Sequence, residues 1–202
     1  MSRDIEGSVS RETLDDLRRF AELLEKWNKR INLVSRNTIP QLWERHILDS
    51  LQLWPLLPQG THAVDFGTGG GFPGLILAIA NHREPKIDHF SFLESDRRKS
   101  AFLIAMIAEF HLNAKAVPKR IEEAPPQAAD VVTARALAPL SDLLGFCDRH
   151  LLPNGKALFL KGATAQQEIA DATPHWRFSL TPHTSKTDEN ATILEVGELS
   201  RA

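Results

Sequence analysis

Five of the eight residues from Gly67 to Gly74 are glycine, and they follow directly on the apolar run Ala63-Val64-Asp65-Phe66. Glycines between a strand and a helix let the backbone turn tightly and approach a ligand with no Cβ in the way, while the free amides of the helix start face it. So many of them carry an entropy cost that an ordinary turn does not require. Gly69, Gly71 and Gly74 satisfy G-x-G-x-x-G, and Glu94 stands about twenty residues on, where a dinucleotide fold places its ribose carboxylate. Two details favour S-adenosylmethionine over a nicotinamide dinucleotide. Asp65, inside the strand, would repel a pyrophosphate but attracts a cofactor bearing a sulfonium and an ammonium group. The bulky pair Phe72-Pro73 stands where the loop enters its helix. Glu94 at a strand end can then accept from both ribose hydroxyls of an adenosine.

Further along, Arg135 falls at the carboxyl end of a central strand, the edge at which an open parallel sheet binds ligands. Its guanidinium can clamp a cofactor carboxylate or a substrate phosphate, or tie two loops together. Lys161 ends the next strand in a similar place and reads as an RNA phosphate contact. His46 and Asp49 lie three apart on one face of a helix, with Arg45 and Asp49 paired at a spacing of four. No second histidine or carboxylate stands at ligand spacing around His46, so no metal is implied. Cys147, the single cysteine, sits in the helical run Leu144-Gly145-Phe146-Cys147-Asp148 and reads as a buried structural thiol.

These side chains need elements to carry them. Residues 1–58 read as a helical extension and 59–202 as an α/β core. Ser10 can cap a helix with an apolar face at Leu14, Leu17, Leu24, Trp27 and Ile31. Thr38 and Gln41 form a capping-box pattern, with Pro40 in the first turn of a second helix through Trp43, Ile47, Leu51 and Trp54. Strand-like runs follow at 62–66, 89–94, 115–118, 129–133, 156–160, 177–181 and 191–197. Helical patterns occupy 74–81, 97–111 (with Phe102, Ile104, Ala105 and Ala108), 139–151 and 164–172. Strands alternating with helices imply a mostly parallel sheet covered on both faces, a Rossmann-like arrangement. Only a polar turn separates the last two runs, so they close the sheet as an antiparallel hairpin.

Composition bounds the partners. A chain of 202 residues, 42% hydrophobic and 25% charged, is one ordinary globular domain with no need of a metal or disulfide to hold a core. The formal charge of −2, from 24 Lys+Arg against 26 Asp+Glu, excludes a polybasic coat, so an anionic partner must be met locally. One cysteine suits a reducing compartment, and no targeting run or membrane-length apolar window is present, so a cytoplasmic protein is expected. Nothing sets an oligomeric state, and a monomer is the starting expectation.

With these residues in hand the sequence resembles the bacterial small-subunit (16S) ribosomal RNA guanine-N7 methyltransferases, also called the glucose-inhibited division protein B family. The matching pieces are Leu24 to Lys29, Ile31-Asn32-Leu33, Arg45-His46-Ile47-Leu48-Asp49-Ser50, the loop Asp65 to Gly74, Leu93-Glu94-Ser95, Arg120 to Glu123, Ala134-Arg135-Ala136 and Leu160-Lys161-Gly162. Many methyltransferases share the glycine loop, whereas the Arg-His-Ile-Leu-Asp-Ser segment is far more specific. The resemblance implies a class I S-adenosylmethionine-dependent methyltransferase with an N-terminal helical extension, acting on a guanine of 16S rRNA in the small ribosomal subunit. It implies that Gly67, Gly69, Phe72 and Glu94 hold the cofactor and that Ile121-Glu122 meets the adenine edge. Arg135 becomes a cofactor-side or active-site residue, and His46 a candidate that docks the helical extension near the cofactor mouth. Two departures from the common pattern are Gly70-Gly71 in the loop and glutamate rather than aspartate at position 94.

The residue types fit that chemistry. Guanine N7 bears a lone pair and no proton, so methyl transfer to it needs alignment and exclusion of water but no general base. Cytosine C5 methylation would need a nucleophilic cysteine. Exocyclic amine methylation typically uses an Asn/Asp-Pro-Pro-aromatic loop, and that place reads Thr133-Ala134-Arg135-Ala136-Leu137. For RNA, the stretch Arg18 to His46 holds seven Lys/Arg and three acids, a net of +4, and Lys115, Lys119 and Arg120 add a second cluster. A nicotinamide-dependent oxidoreductase and a non-catalytic RNA binder in ribosome assembly are the alternatives.

Overall fold

A computed structural model describes residues 2–202. Its strands are β1 (Gly60–Phe66), β2 (Ile87–Leu93), β3 (Ala114–Val117), β4 (Ala129–Arg135), β5 (Leu151–Lys161), β6 (Trp176–Thr184) and β7 (Thr192–Arg201). They form a single sheet in the order β3-β2-β1-β4-β5-β7-β6. The first five run parallel, and β7 enters antiparallel between β5 and β6, so the closing hairpin expected from the polar turn is present. Strand order reverses direction between β1 and β4, which pair with Asp65 opposite Thr133 and Phe66 opposite Ala134. At such a switch point the loops diverge and leave a crevice beyond the strand ends. The glycine loop and Arg135 therefore open side by side.

The helices are α1 (Ser2–Glu6), α2 (Arg11–Asn28), α3 (Asp49–Leu51), α4 (Gly74–Arg83), α5 (Arg97–Glu109), α6 (Leu140–His150) and α7 (Ala165–Ala172). Alternate residues along each strand feed two cores. Ala63, Phe90, Phe92, Val131 and Leu158 face α2, α4 and α5, whereas Val64, Phe66, Val132, Ala157 and Phe159 face α6 and its neighbours. Every residue of α4 from Gly74 to Asn81 is buried, because the sheet covers one side and the helical extension the other. A helix apolar all round needs such double cover. Amphipathic α2 supplies it with Leu17, Phe20 and Leu24.

Four local expectations change. The first long helix stops at Asn28 instead of reaching Ile31, because the Asn28 carboxamide accepts from the Leu33 and Val34 amides and donates to the Val34 carbonyl. The second helix is not one helix: Arg36–Gln41 is a 3₁₀ segment, Trp43–Leu48 a π-helix, Asp49–Leu51 an α-turn and Trp54–Leu56 again 3₁₀. Thr38 makes no capping box with Gln41, since its hydroxyl turns back to the Ser35 carbonyl. Ile104 is 55% exposed, and Ser100, Phe102, Leu103 and Met106 form the buried face of α5.

Asn81 repeats at the end of α4 what Asn28 does at the end of α2. Its Oδ1 accepts from the Lys86 and Ile87 amides at 2.8 and 2.9 Å, and its Nδ2 donates to the Ile87 carbonyl at 2.8 Å, setting the entry of β2. Asn81→Ala leaves those groups unpaired and should lower stability by about 2–3 kcal/mol in urea unfolding, with an unchanged m-value.

Candidate functional site

Two clefts open at the switch point, separated by Ala136, Leu137 and Ala138, which line both. The smaller, of about 450 Å³, is walled by Gly67, Gly69, Leu93, Glu94, Ile121 and Glu122. The larger, of about 1160 Å³, is walled by Arg45, His46, Asp49, Arg135 and Lys161, together with residues of α7 and the β6–β7 turn. Most of the cofactor-binding residues expected from sequence thus gather in one cleft, and the catalytic candidates in the other.

The smaller cleft begins with the loop after β1. Gly67 adopts φ +62°, and a Cβ on it would stand 2.6 Å from Leu137 Cδ1. A side chain there would therefore collide with the divider between the clefts. Glu94, only 7% exposed, accepts from the Gly69 amide at 2.9 Å and from the Asp96 amide at 2.8 Å. Each oxygen keeps a lone pair free, so the carboxylate fixes the loop and can still receive hydroxyl donors. Asp96 caps α5 by accepting from the Arg98 and Lys99 amides. On the far side, buried His150 donates through Nε2 to the Ile121 carbonyl and steadies that wall.

Asp65 lines neither cleft. It is 1% exposed beneath the loop, where Oδ1 receives the Thr133 hydroxyl at 2.6 Å and Oδ2 has no hydrogen-bond partner among the described residues. A Cβ on Gly74 would lie 2.4 Å from the Asp65 side chain, so only glycine lets α4 start directly over this carboxyl. Burial pushes its pKa up to about 6, against the Thr133 and Thr68 hydroxyls, the Gly74 amide and the Arg135 charge. Phe72 is also covered. Its ring lies under the Arg135 guanidinium at 5.0 Å and beside His46 at 5.1 Å.

Arg135 organises the larger cleft. Nη1 donates to the Arg45 carbonyl at 2.9 Å and to Asp49 Oδ2 at 3.2 Å, and Nη2 donates to His46 Nδ1 at 2.7 Å. Because a guanidinium offers only donors, Nδ1 must accept, so the His46 hydrogen sits on Nε2 and is donated to the Thr38 hydroxyl at 2.9 Å. Thr38 in turn donates to the Ser35 carbonyl. Burial, then the Arg135 and Arg45 charges, bring the His46 pKa down to about 4. Asp49 pairs with Arg135 rather than with Arg45 as the spacing suggested. Lys161 donates to the Ala138 carbonyl at 2.8 Å and pairs with Glu168 at 2.5 Å, so its charge braces the dividing loop.

Cys147 is fully buried away from both clefts, and burial pushes its thiol pKa up. Of the basic residues, Arg18 and Arg19 are engaged with Asp15 and Glu109, whereas the Lys26, Lys29, Arg36 and Arg45 side chains are exposed. Arg97, Lys119 and Arg120 border a hollow beside the smaller cleft. Thr133, His150, Leu137 and Gln52 were not singled out from sequence. Only the polar Thr133 in an apolar strand run gave a signal that could have found one of them.

The family described as rRNA small subunit methyltransferase G matches residues 13–192. The chain is 51% identical over 201 residues to Ribosomal RNA small subunit methyltransferase G of Acidiphilium cryptum, covering 98% of this chain and 91% of that protein. It is 46% identical over 198 residues to the protein of the same name from Ruegeria sp., covering 98% and 97%. A solved SAM-dependent methyltransferase from Aquifex aeolicus shares the fold with a TM-score of 0.59 at 13% identity, over 86% of this chain and 96% of that one. Neither the oxidoreductase nor the non-catalytic alternative finds support among these similarities.

Asp65 and His46 act oppositely on stability. Unfolded, Asp65 ionises near 3.8 and folded at about 6, so between those values the unfolded state binds fewer protons and stability falls as pH rises. His46 titrates near 6.5 unfolded and at about 4 folded, so over that window the unfolded state binds more protons and stability rises with pH. Asp65→Asn removes the first dependence and leaves the second. Its melting temperature should fall more steeply than the wild type's on acidification from about pH 6.5 to about pH 4.

Proposed function

Since the chain belongs to the rRNA small subunit methyltransferase G family, we propose that it transfers the methyl group of S-adenosylmethionine to N7 of a guanine in the 16S rRNA of the small ribosomal subunit. The observation that carries the finer reading is the pairing of the clefts. A glycine- and Glu94-lined cradle meets, across Ala136–Ala138, a larger cleft whose one histidine has no free base nitrogen. Such an arrangement suits an acceptor atom that has a lone pair and no proton to remove.

The cradle fits the cofactor by its chemistry. Gly67 and Gly69 keep side chains out of the cleft, Glu94 can receive ribose hydroxyls, and Ile121 with Glu122 offers an apolar face and an acceptor for an adenine. Asp65 contributes negative charge from under the loop, without direct contact. When bound, the cofactor supplies an electrophilic methyl carbon on a sulfonium.

The chain's own residues hold the acceptor in place and keep water out, a matter of proximity and orientation. Arg135, stacked on Phe72 and gripped by Asp49 and His46, forms a rigid wall. The lining of the larger cleft includes four carboxylates (Asp49, Glu168, Asp171 and Asp188) and three Lys/Arg (Arg45, Arg135 and Lys161). That slightly acidic balance tolerates N7-methylguanine, which is a cation. RNA phosphates are met outside the cleft by exposed Lys26, Lys29 and Arg36. The reading carries a cytoplasmic location with it and a monomer as the active unit, since one chain builds both clefts. No helix among the described residues is long and apolar enough to cross a membrane.

The test is incubation with labelled S-adenosylmethionine and undermodified small subunits, followed by borohydride reduction and aniline scission. One scission site, at the labelled guanine, is expected, and label without scission would overturn the N7 assignment. A base-free transfer should also show a single-turnover rate flat between about pH 6.5 and about pH 8.5, whereas a log-linear rise across that range would indicate an essential base.

A further inference from the structure

Gln52 is 6% exposed and lines neither cleft, yet its carboxamide joins two segments more than 130 residues apart in sequence. Nε2 lies 2.9 Å from Asp49 Oδ1, 3.3 Å from Ser185 Oγ and 3.2 Å from Thr187 Oγ1, and Oε1 accepts from the Lys186 amide at 2.8 Å. Thr187 adds its own donation to Asp49 Oδ1 at 2.7 Å. Ser185, 4% exposed, accepts from the amides of Thr187 and Asp188. A polar turn without an apolar anchor would otherwise be free to move. Here the β6–β7 turn is fastened to the helical extension by one buried amide and one carboxylate.

What the turn does with that rigidity follows from its place. Thr187, Asp188 and Ala191 line the larger cleft together with Arg45 and Arg135, and Thr187 meets the same Asp49 carboxylate that pairs with Arg135. Beside them Lys186 presents an exposed ammonium with no side-chain partner among the described residues, and Asp188 keeps acceptor capacity beyond the Asn190 amide it already receives. An ammonium next to a carboxylate meets the two chemistries of a guanine nucleotide, its phosphate and its N–H edge.

Resting on the methyltransferase reading above, we infer that Gln52 is a positioning residue for the RNA. It holds the turn from Ser185 to Ala191 as the wall of the larger cleft against which the nucleotide binds, and with Thr187 it also supports Asp49, the partner of Arg135 in that wall. Its loss is therefore felt in RNA recognition and leaves the cofactor cradle intact.

The test uses full-length Gln52→Leu, Thr187→Val and the double variant. The readouts are kcat and KM for undermodified small subunits, affinity for S-adenosylhomocysteine by calorimetry, and hydrogen exchange over residues 185–191. Each single variant should raise KM about tenfold with kcat within about twofold of wild type, unchanged S-adenosylhomocysteine affinity and faster exchange in the turn. The double variant should be no worse than the worse single one, because both substitutions release the same clamp. Unchanged KM despite faster exchange, a parallel loss of S-adenosylhomocysteine affinity, or single effects that multiply would each overturn the inference. If Gln52→Leu fails to fold, Thr187→Val changes only a partly exposed turn residue and carries the same expectations. A wild-type protein inactive on small subunits would remove the underlying function as well, whereas active wild type with unaffected variants removes only the role of Gln52.

Discussion

A largely covered guanidinium has to find acceptors for fixed, coplanar donors, and the three bonds that Arg135 makes all end on one segment. The Arg45 carbonyl, His46 Nδ1 and Asp49 Oδ2 take its hydrogens, and Phe72 closes the face below. Removing that segment would leave an uncompensated cation under the sheet edge, which costs far more than the pair itself gains. The helical extension is therefore coupled to the core by charge as well as by its apolar cover over α4. The shape of the larger cleft depends on both.

The π-helix from Trp43 to Leu48 shows how local backbone serves that coupling. Its wider turn lets a backbone carbonyl, an imidazole and a carboxylate from Arg45, His46 and Asp49 converge on one group. The direction of the bonds then decides protonation. Arg135 fills the His46 acceptor, so the imidazole stays neutral down to about pH 4 and hands its hydrogen to Thr38. Beneath the glycine loop Asp65 is disposed the other way, its burial favouring the protonated form up to about pH 6. The site holds a base that resists gaining a proton and an acid that resists losing one, and the proposed transfer to N7 asks neither to move a proton.

That Gly67, Gly69, Glu94, Ile121 and Glu122 share one cleft was legible because each follows the end of a strand. Gly67, Gly69 and Glu94 sit at strand ends that hydrophobic patterning already located, and glycine spacing speaks directly of backbone geometry. Asp65 and Phe72 were placed near the right loop, yet their roles depend on depth. Both are buried beneath the loop and line neither cleft. Lys161 lines the larger cleft, but nothing in its neighbourhood along the chain announces Glu168, which neutralises it. The second helix misled for a related reason: three-and-four apolar spacing is kept by 3₁₀, π and α turns alike over so short a stretch.

Sequence alone determined the alternation of strands and helices, the closing hairpin, the glycine loop and the burial of the one cysteine in its helix. Each of these is written in near neighbours, through periodicity, glycine placement or residue type. Tertiary structure alone decided that the expected residues divide between two clefts, that Arg135 binds the extension, and that Gln52 clamps a turn from the far end of the chain. Those facts rest on hydrogen bonds between residues about 90 and more than 130 positions apart, and a donor's choice among distant acceptors is made by burial and packing, not by local spacing.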